Sequence, residues 1–517
     1  MKRLFYVLLM TILACGSHAQ TISQSELDSY VARVMKEFEV PGLCVAVVKD
    51  GNVLVAKGYG VRELGKSAPV DSKTLFGIAS NTKAFTATAL GLLVEEGKLQ
   101  WDARVIDYLP WFQLSDPFVT REMTIRDLLV HRSGLGLGAG DLLWWPPSTY
   151  NRKEIAQRLR YIPLVTSFRS AYAYDNVLYL IAGEVIEAVS GMTWEEFIQK
   201  RILNEVGMTT SNVRHSEAET GANRATTHAK VDGVVRVVKP FASDNTNPAG
   251  GINSNAEDMA KWMIVQMDSG RVSREKRLFS RRTTVELWSI VTPLGTGMPA
   301  PELAPLRSNF NGYALGFGIR DYRGYKMVSH TGGLPGYLSR LAMLPELKAG
   351  VTVLTNQESG AAFNAIVYYV LDRLINAPKH DWLAGISAVV KREMASMGSA
   401  DSASAAARNA NSKPSLPSEK YVGTYRDVWY GDVAIEKQGE KMTIRFTKTP
   451  SLVGDLEYWQ YNTFIARWHD RELRADAYVT FMLNPDGSID QVKMKAVSPS
   501  TDFSFDFHDL VLKPVAR

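Results

Sequence analysis

The chain has 517 residues, enough for two domains and a substantial core. Its 59 basic and 54 acidic residues give a net charge of +5, which falls to +3 (57 against 54) without Lys2 and Arg3, and no dense basic tract points to nucleic acid. The two cysteines, Cys15 and Cys44, and eight histidines without metal-ligand spacing speak against a disulfide framework and a metal centre, and no cofactor is expected.

In chain order, Met1-Lys2-Arg3 is a positive n-region, residues 4–14 an apolar run, and Ser17-His18-Ala19 a small-residue cleavage site before Gln20. Residues 1–19 therefore read as a signal peptide, and the mature chain as periplasmic or secreted. A rival reading makes Cys15 a lipid-attachment residue, although Leu13 is bulky for the position two before it. No later run is long and apolar enough to cross a membrane. Cys44 then reads as a buried structural thiol.

Residues 43–49 and 53–58 are apolar strand patterns around Asp50-Gly51, a good hairpin turn. Helical apolar spacing follows at 80–96, 124–131, 177–189, 193–203 and 255–268. Thr193 with Glu196, and Ser254 with Glu257, have capping-box spacing. Strand patterns return at 313–319, 326–330, 338–344 and 350–355, before a helix at 361–376. The plan is α+β: N- and C-terminal strands meet in one antiparallel sheet flanked by helices, with a helical subdomain inserted between them, over residues 20–380. A helix near 381–396 and an Ala/Ser-rich linker to residue 415 lead to short strands at 421–425, 433–435, 442–446, 478–482 and 503–507. Residues 416–517 should therefore form a small β-barrel or sandwich. In it Trp459, Trp468 and His469 either line a ligand pocket or belong to the core.

Three motifs carry chemistry. Ser80-Asn81-Thr82-Lys83 opens the helix at 80–96, and residues three apart on a helix share a face, so the Lys83 amine can reach the Ser80 hydroxyl. Burial and the positive end of the helix dipole both lower a lysine pKa, as a base near neutral pH requires. Tyr174 and Asn176 lie two apart just before the helix at 177–189. His330-Thr331-Gly332 ends a strand pattern.

With these motifs in order, the chain resembles the class C β-lactamase and penicillin-binding-protein-like serine hydrolases, a family that includes esterases, D-aminopeptidases and other D-peptidases. The resemblance extends through Met123-Thr124-Ile125-Arg126-Asp127, Pro248-Ala249-Gly250-Gly251 and Leu344-Pro345-Glu346, covering residues 25–376. The C-terminal strands resemble the lipocalin-like domain that some members append. The resemblance implies that Ser80 forms an acyl-enzyme, that Lys83 and Tyr174 share its proton with the base unassigned between them, and that the backbone N–H groups of Ser80 and Gly333 form the oxyanion hole. Asn176, His330, Thr331 and Gly332 would bind substrate. Asn176 would hold an acyl-side amide and orient Lys83, or else serve only as a helix cap.

His330 departs from the lysine of the penicillin-recognising members. A largely neutral imidazole can still donate to a carboxylate or to Tyr174, but it lacks a fixed positive charge, so a peptidase or esterase is favoured over a β-lactamase or a slow penicillin-binding sensor. The expected partner is a small-molecule or peptide substrate, with the oligomeric state open. Asp127 and His131, four apart, read as a structural pair on one helix face. Trp144 and Trp145 either wall the substrate pocket or close the helical subdomain, and residues 271–282 read as a solvated charged face.

Overall fold

The computed structural model describes residues 23–219 and 223–516; the expected leader and Cys15 lie outside them. The described chain opens with a helix not anticipated from the sequence, α1 (Gln24–Glu37), which buries Leu27, Tyr30, Val31 and Val34 at helical spacing. The hairpin β1 (Gly42–Lys49) and β2 (Asn52–Gly60) follows, with Asp50 and Gly51 both at positive φ, as a tight hairpin turn requires.

Six more strands complete an antiparallel sheet: β3 (Thr292–Pro293), β4 (Asn311–Tyr313), β5 (Gly318–Tyr322), β6 (Tyr325–Leu334), β7 (Tyr337–Leu344) and β8 (Ala349–Thr355). Their order, β2-β1-β8-β7-β6-β5-β4-β3, joins the two ends of the domain at β1 and β8. Leu43, Val45 and Val47 of β1 pack in the hydrophobic cluster beneath α1, and Cys44, Ala46 and Val48 in the cluster on the other face. A strand covered on both faces reads as a continuous apolar run, and each fully buried Val or Leu contributes about 1.5–3 kcal/mol.

The helices that position the site are α2 (Thr82–Glu95), α3 (Val177–Ser190) and α4 (Ala256–Met267); α5 (Gly360–Leu374) packs in the cluster beneath α1. α2 is buried on every side, and its polar Thr86 is satisfied by donating to the Pro248 carbonyl and accepting from Trp194 Nε1.

Several expected elements change. Residues 124–131 contain only a 3-10 turn, Asp127–Leu129, and His131 takes a left-handed φ of 55°. Asp127 and His131 therefore share no helix face. Asp127 accepts from Thr124, Arg132 and Arg169, while His131 is buried against Tyr174. The capping box at Thr193 and Glu196 forms, but the helix there gives way to a π turn at Gln199–Leu203. α4 is capped by Asn255, one residue after the expected Ser254, because Ser254 bonds Ser211 and Glu257 accepts from Ser72. The run at 313–319 divides into β4 and β5 at Gly316, whose φ of 79° makes a tight turn against the Lys83 carbonyl, where a Cβ would come within 2.7 Å.

α6 (Trp382–Ala406) continues ten residues into the expected linker. Beyond it β9 (Gly423–Asp427), β10 (Gly431–Gln438), β11 (Lys441–Phe446), β12 (Val453–Gln460), β13 (Thr463–Trp468), β14 (Ala477–Leu483), β15 (Ile489–Ala496) and β16 (Lys513–Pro514) form an antiparallel meander. β16 pairs with β9 and Leu512 bridges Val492 of β15, so the sheet nearly closes into a barrel. Trp468 is core at 1% exposure, Trp459 packs on Tyr478, and His469 is exposed beside Asp455, so these three do not gather into one pocket. Residues 503–507 are not a strand. Asp502 turns the chain by accepting from the Ser504 N–H, and the Asp506 carboxylate bonds to Gly140 and Leu142 of the sheet domain instead of a ladder.

Barrel and sheet domain are packed together. Thr149 N–H donates to Lys448 O at 2.8 Å, Arg158 donates to Trp429 O at 2.8 Å, and residues of both domains share one hydrophobic cluster.

Candidate active site

Ser80 sits in the 3-10 turn Ala79–Asn81 that leads into α2, and Ala79 just before it is held at φ 49°. A non-glycine residue in this region costs on the order of 1 kcal/mol, so the surroundings must enforce it. Ser339 of β7 does so, donating to the Ile78 carbonyl at 2.6 Å and accepting from Asn81 Nδ2 at 2.8 Å. β6 presses on the same turn: a Cβ on Gly332 would lie 2.2 Å from the Ile78 oxygen. Gly332 is buried, so it serves the site by close backbone approach, while Thr331 and Gly333 on either side are exposed.

Lys83 is fully buried. Its Nζ lies 3.0 Å from Ser80 Oγ, 2.7 Å from Asn176 Oδ1 and 3.1 Å from the Ala249 carbonyl. Two of these partners only accept, and the third is a hydroxyl that can give as well as take. That set accommodates an ammonium, with its three N–H bonds to Asn176, Ala249 and Ser80, and equally a neutral amine, with two N–H bonds to Asn176 and Ala249 and its lone pair accepting from the Ser80 hydroxyl. Burial pulls the Lys83 pKa down to about 7, against the pull of the Asp141 and Asp175 carboxylates. Both carboxyls are themselves pushed up to about 7 by burial; Ser504, Asn176 and Trp144 oppose this at Asp141, and Ser133 and Lys83 at Asp175.

Tyr174, also buried, is raised well above a normal phenol by desolvation, despite the Ser80 hydroxyl beside it. The Lys83 Nζ stands 4.9 Å from the centre of its ring. Asn176 occupies the N-cap position of α3, yet its side chain makes no cap bond: it accepts from Lys83 and donates to Asp141 Oδ2 at 2.9 Å.

His330 is turned differently from the expectation. Its Nδ1 lies 2.5 Å from the Thr331 carbonyl, which can only accept, so Nδ1 carries the proton, and Nε2 accepts from the Tyr313 hydroxyl at 2.7 Å. Burial and the nearby Lys83 drive its pKa down to about 3. The neutral ring thus has no N–H left for a substrate carboxylate or for Tyr174.

These groups meet at a cavity of about 430 Å³ lined by Ser80, Tyr174, Asn176, Thr331 and Gly333, with Trp144 and Trp145 in its wall. Of the residues expected from the sequence, all eight site residues line it or, as Lys83 does, stand directly behind it. Asp141, Ser339, Phe503 and Ser504 were not anticipated; a lone Asp or Ser in an apolar stretch carries no spacing signal. Among the described residues no His/Cys/Asp/Glu group has the arrangement of a metal site.

The sequence profile of the beta-lactamase family matches residues 27–374, the whole sheet and its helical insert. The chain belongs to the beta-lactamase family. A second profile, a domain of unknown function (DUF3471), matches residues 407–514, the barrel of this beta-lactamase-family protein. Unguisins hydrolase ungD of Aspergillus violaceofuscus is 28% identical over 383 residues, 69% of this chain, and the match spans 66% of that protein's length. Protein flp of Staphylococcus aureus strain N315 is 25% identical over 373 residues, 70% of this chain and 69% of its own. Among solved structures, the octameric penicillin-binding protein homologue from Pyrococcus abyssi superposes with a TM-score of 0.60 at 21% identity, covering 95% of this chain and 100% of that one. A D-stereospecific amidohydrolase from Streptomyces sp. does so with a TM-score of 0.53 at 19% identity, over 67% of this chain and 98% of its own. The two structural likenesses show a shared fold.

Proposed function

We propose that this beta-lactamase-family serine hydrolase opens an amide, peptide or ester bond through an acyl-enzyme on Ser80. The observation that carries the reading is the fully buried Lys83 amine, 3.0 Å from the Ser80 hydroxyl and lowered to a pKa of about 7 by that burial. In this reading Lys83 takes the Ser80 proton as Oγ attacks the carbonyl. Tyr174, kept protonated by burial, relays a proton to the leaving amine or alkoxide, and water then hydrolyses the ester. The N–H groups of Ser80 and Gly333 hold the developing oxyanion, a contribution on the order of 3 kcal/mol each. Asn176 orients Lys83, and Thr331 offers a hydroxyl to the substrate.

A β-lactamase is the weaker reading. None of the described residues lining the cavity is a lysine or arginine, and His330 is neutral with both ring nitrogens engaged, so no cation there matches a drug carboxylate. The hydrolase name of the Aspergillus relative supports bond hydrolysis as such. The test is turnover of an amino-acid p-nitroanilide, a p-nitrophenyl ester and a chromogenic cephalosporin by wild type and Ser80→Ala. Turnover of the anilide or ester that falls by several orders of magnitude, up to ~10⁶, in the variant is expected. A cephalosporin turned over best would establish the β-lactamase instead, and a variant retaining a tenth of the activity would remove Ser80 as the nucleophile.

A further inference from the structure

The C-terminal barrel enters the cavity. Asp502, Phe503 and Ser504 lie in its wall, and the Phe503 ring meets the Tyr174 ring edge-on at 6.1 Å. The Gly-rich loop before α3, residues 134–150, is shaped around this segment. Gly138 has a φ of 70°, a Cβ there would lie 2.8 Å from the Phe503 carbonyl oxygen, and its N–H donates to the Tyr174 carbonyl at 2.9 Å.

Two buried side chains of the segment engage the loop from below. Ser504 Oγ donates to Asp141 Oδ2 at 2.8 Å. The Asp506 carboxylate accepts from the N–H groups of Gly140 at 2.7 Å and Leu142 at 3.0 Å, the two residues that flank Asp141. Asp141 Oδ2 also accepts from Asn176, which accepts from Lys83. Three hydrogen bonds therefore join the barrel to the amine beside Ser80.

We propose that segment 502–506 of the barrel is a working part of the catalytic site, in which Ser504 and Asp506 are positioning residues that act through Asp141 and Asn176 on Lys83. The proposal rests on the roles given above to Ser80 and Lys83. Asp506 fixes the backbone on both sides of Asp141, and Ser504 holds the carboxylate against Asn176, so the amide oxygen is aimed at the amine. Lys83 is also faced by Asp175, Tyr174 and Tyr179, and its charge is felt by His131 and His330; Asp141 is faced in addition by Trp144 Nε1 and Asp506, and Asp506 by Asp509.

The direction of the effect follows from the hydrogen bonds. The Ser504 hydroxyl favours the ionised Asp141 carboxylate, and that negative charge favours a proton on Lys83. Without the hydroxyl, Asp141 takes up a proton more readily and Lys83 releases its own at lower pH. A residue that merely supported the fold would weaken the site without moving this titration.

The test measures the second-order rate of fluorophosphonate labelling from pH 5 to 9 on full-length wild type, Ser504→Ala and Asp506→Asn, with circular dichroism to confirm folding. The expected result is a midpoint of the pH–rate curve displaced downward by about half a unit or more in Ser504→Ala, and a plateau on the order of 10-fold lower in both variants. Folded Ser504→Ala with an unmoved midpoint overturns the proposal, whether or not its plateau falls, and so does folded Asp506→Asn with the wild-type plateau. If Ser504→Ala does not fold, Ser504→Cys, of similar size but a weak donor, carries the same comparison. Wild type that takes no label defeats the assignment of Ser80 and the relay with it, an outcome distinct from variants that behave as wild type does.

Discussion

Lys83 stands closer to Asn176 (2.7 Å) than to Ser80 (3.0 Å). The amine is thus aimed from the start of α3 as well as from its own helix, and Asn176 is in turn held by Asp141 in the Gly-rich loop. The reactive pair is set by a tertiary network, although its two members are three residues apart.

The first prediction is a pH dependence. Lys83 is lowered to about 7 by burial, and only its neutral form accepts the Ser80 proton. Activity should therefore rise with pH through about 7 and be lost tenfold per pH unit well below it. A kcat/KM profile between pH 5 and 9 checks this; a flat acid limb would contradict it.

His330→Lys should increase the rate of acylation by penicillin, by about 10-fold or more. It places a cation in the wall that otherwise has none, while removing the ring that Tyr313 and Thr331 hold neutral. Mass spectrometry of the acylated protein against time gives the rate, and an unchanged rate would show that the missing charge does not decide β-lactam recognition.

Gly332→Ala should reduce activity by about 100-fold and stability by roughly 1–3 kcal/mol, because its methyl would meet the Ile78 oxygen at 2.2 Å and displace the turn that presents Ser80. Parallel measurement of Tm and kcat separates the two effects.

Asp127→Ala tests a purely structural role. The carboxylate is buried, and although burial works to raise its pKa, Arg169, Thr124 and Arg132 hold it lowered. Since the arginines are partly exposed, the loss should be about 2 kcal/mol, below that of a fully buried pair. Urea unfolding should show it, with kcat within about threefold of wild type below the melting range; a collapse of kcat in folded protein would assign Asp127 to the site.

Much of this architecture is legible in local patterns. The sheet strands show as apolar runs, and Ser80 with Lys83 as a helical i,i+3 pair, because one short stretch of backbone sets each. The failures share a physical cause. Ile125, Leu128 and Leu129 have helical spacing because the segment lies inside the core, yet the chain there makes a 3-10 turn. Phe503, Phe505 and Phe507 alternate with Ser504 and Asp506 as in a strand, but the alternation arises because the loop lies between two domains. Phe505 and Phe507 are buried in the hydrophobic cluster while Ser504 and Asp506 bond to the catalytic domain. The neutral tautomer of His330 depends on Tyr313, seventeen residues away, and on a backbone carbonyl. No spacing rule shows such a contact.

In the proposed mechanism Ser80 is the nucleophile and Lys83 activates it. The most direct measurement is intact-protein mass after exposure to a fluorophosphonate at pH 8, followed by peptide mapping, on wild type, Ser80→Ala and Lys83→Met. One adduct is expected on the peptide that contains Ser80, absent from Ser80→Ala and formed at least about 100-fold more slowly in Lys83→Met. An adduct on another residue, or labelling of Lys83→Met at the wild-type rate, would contradict it.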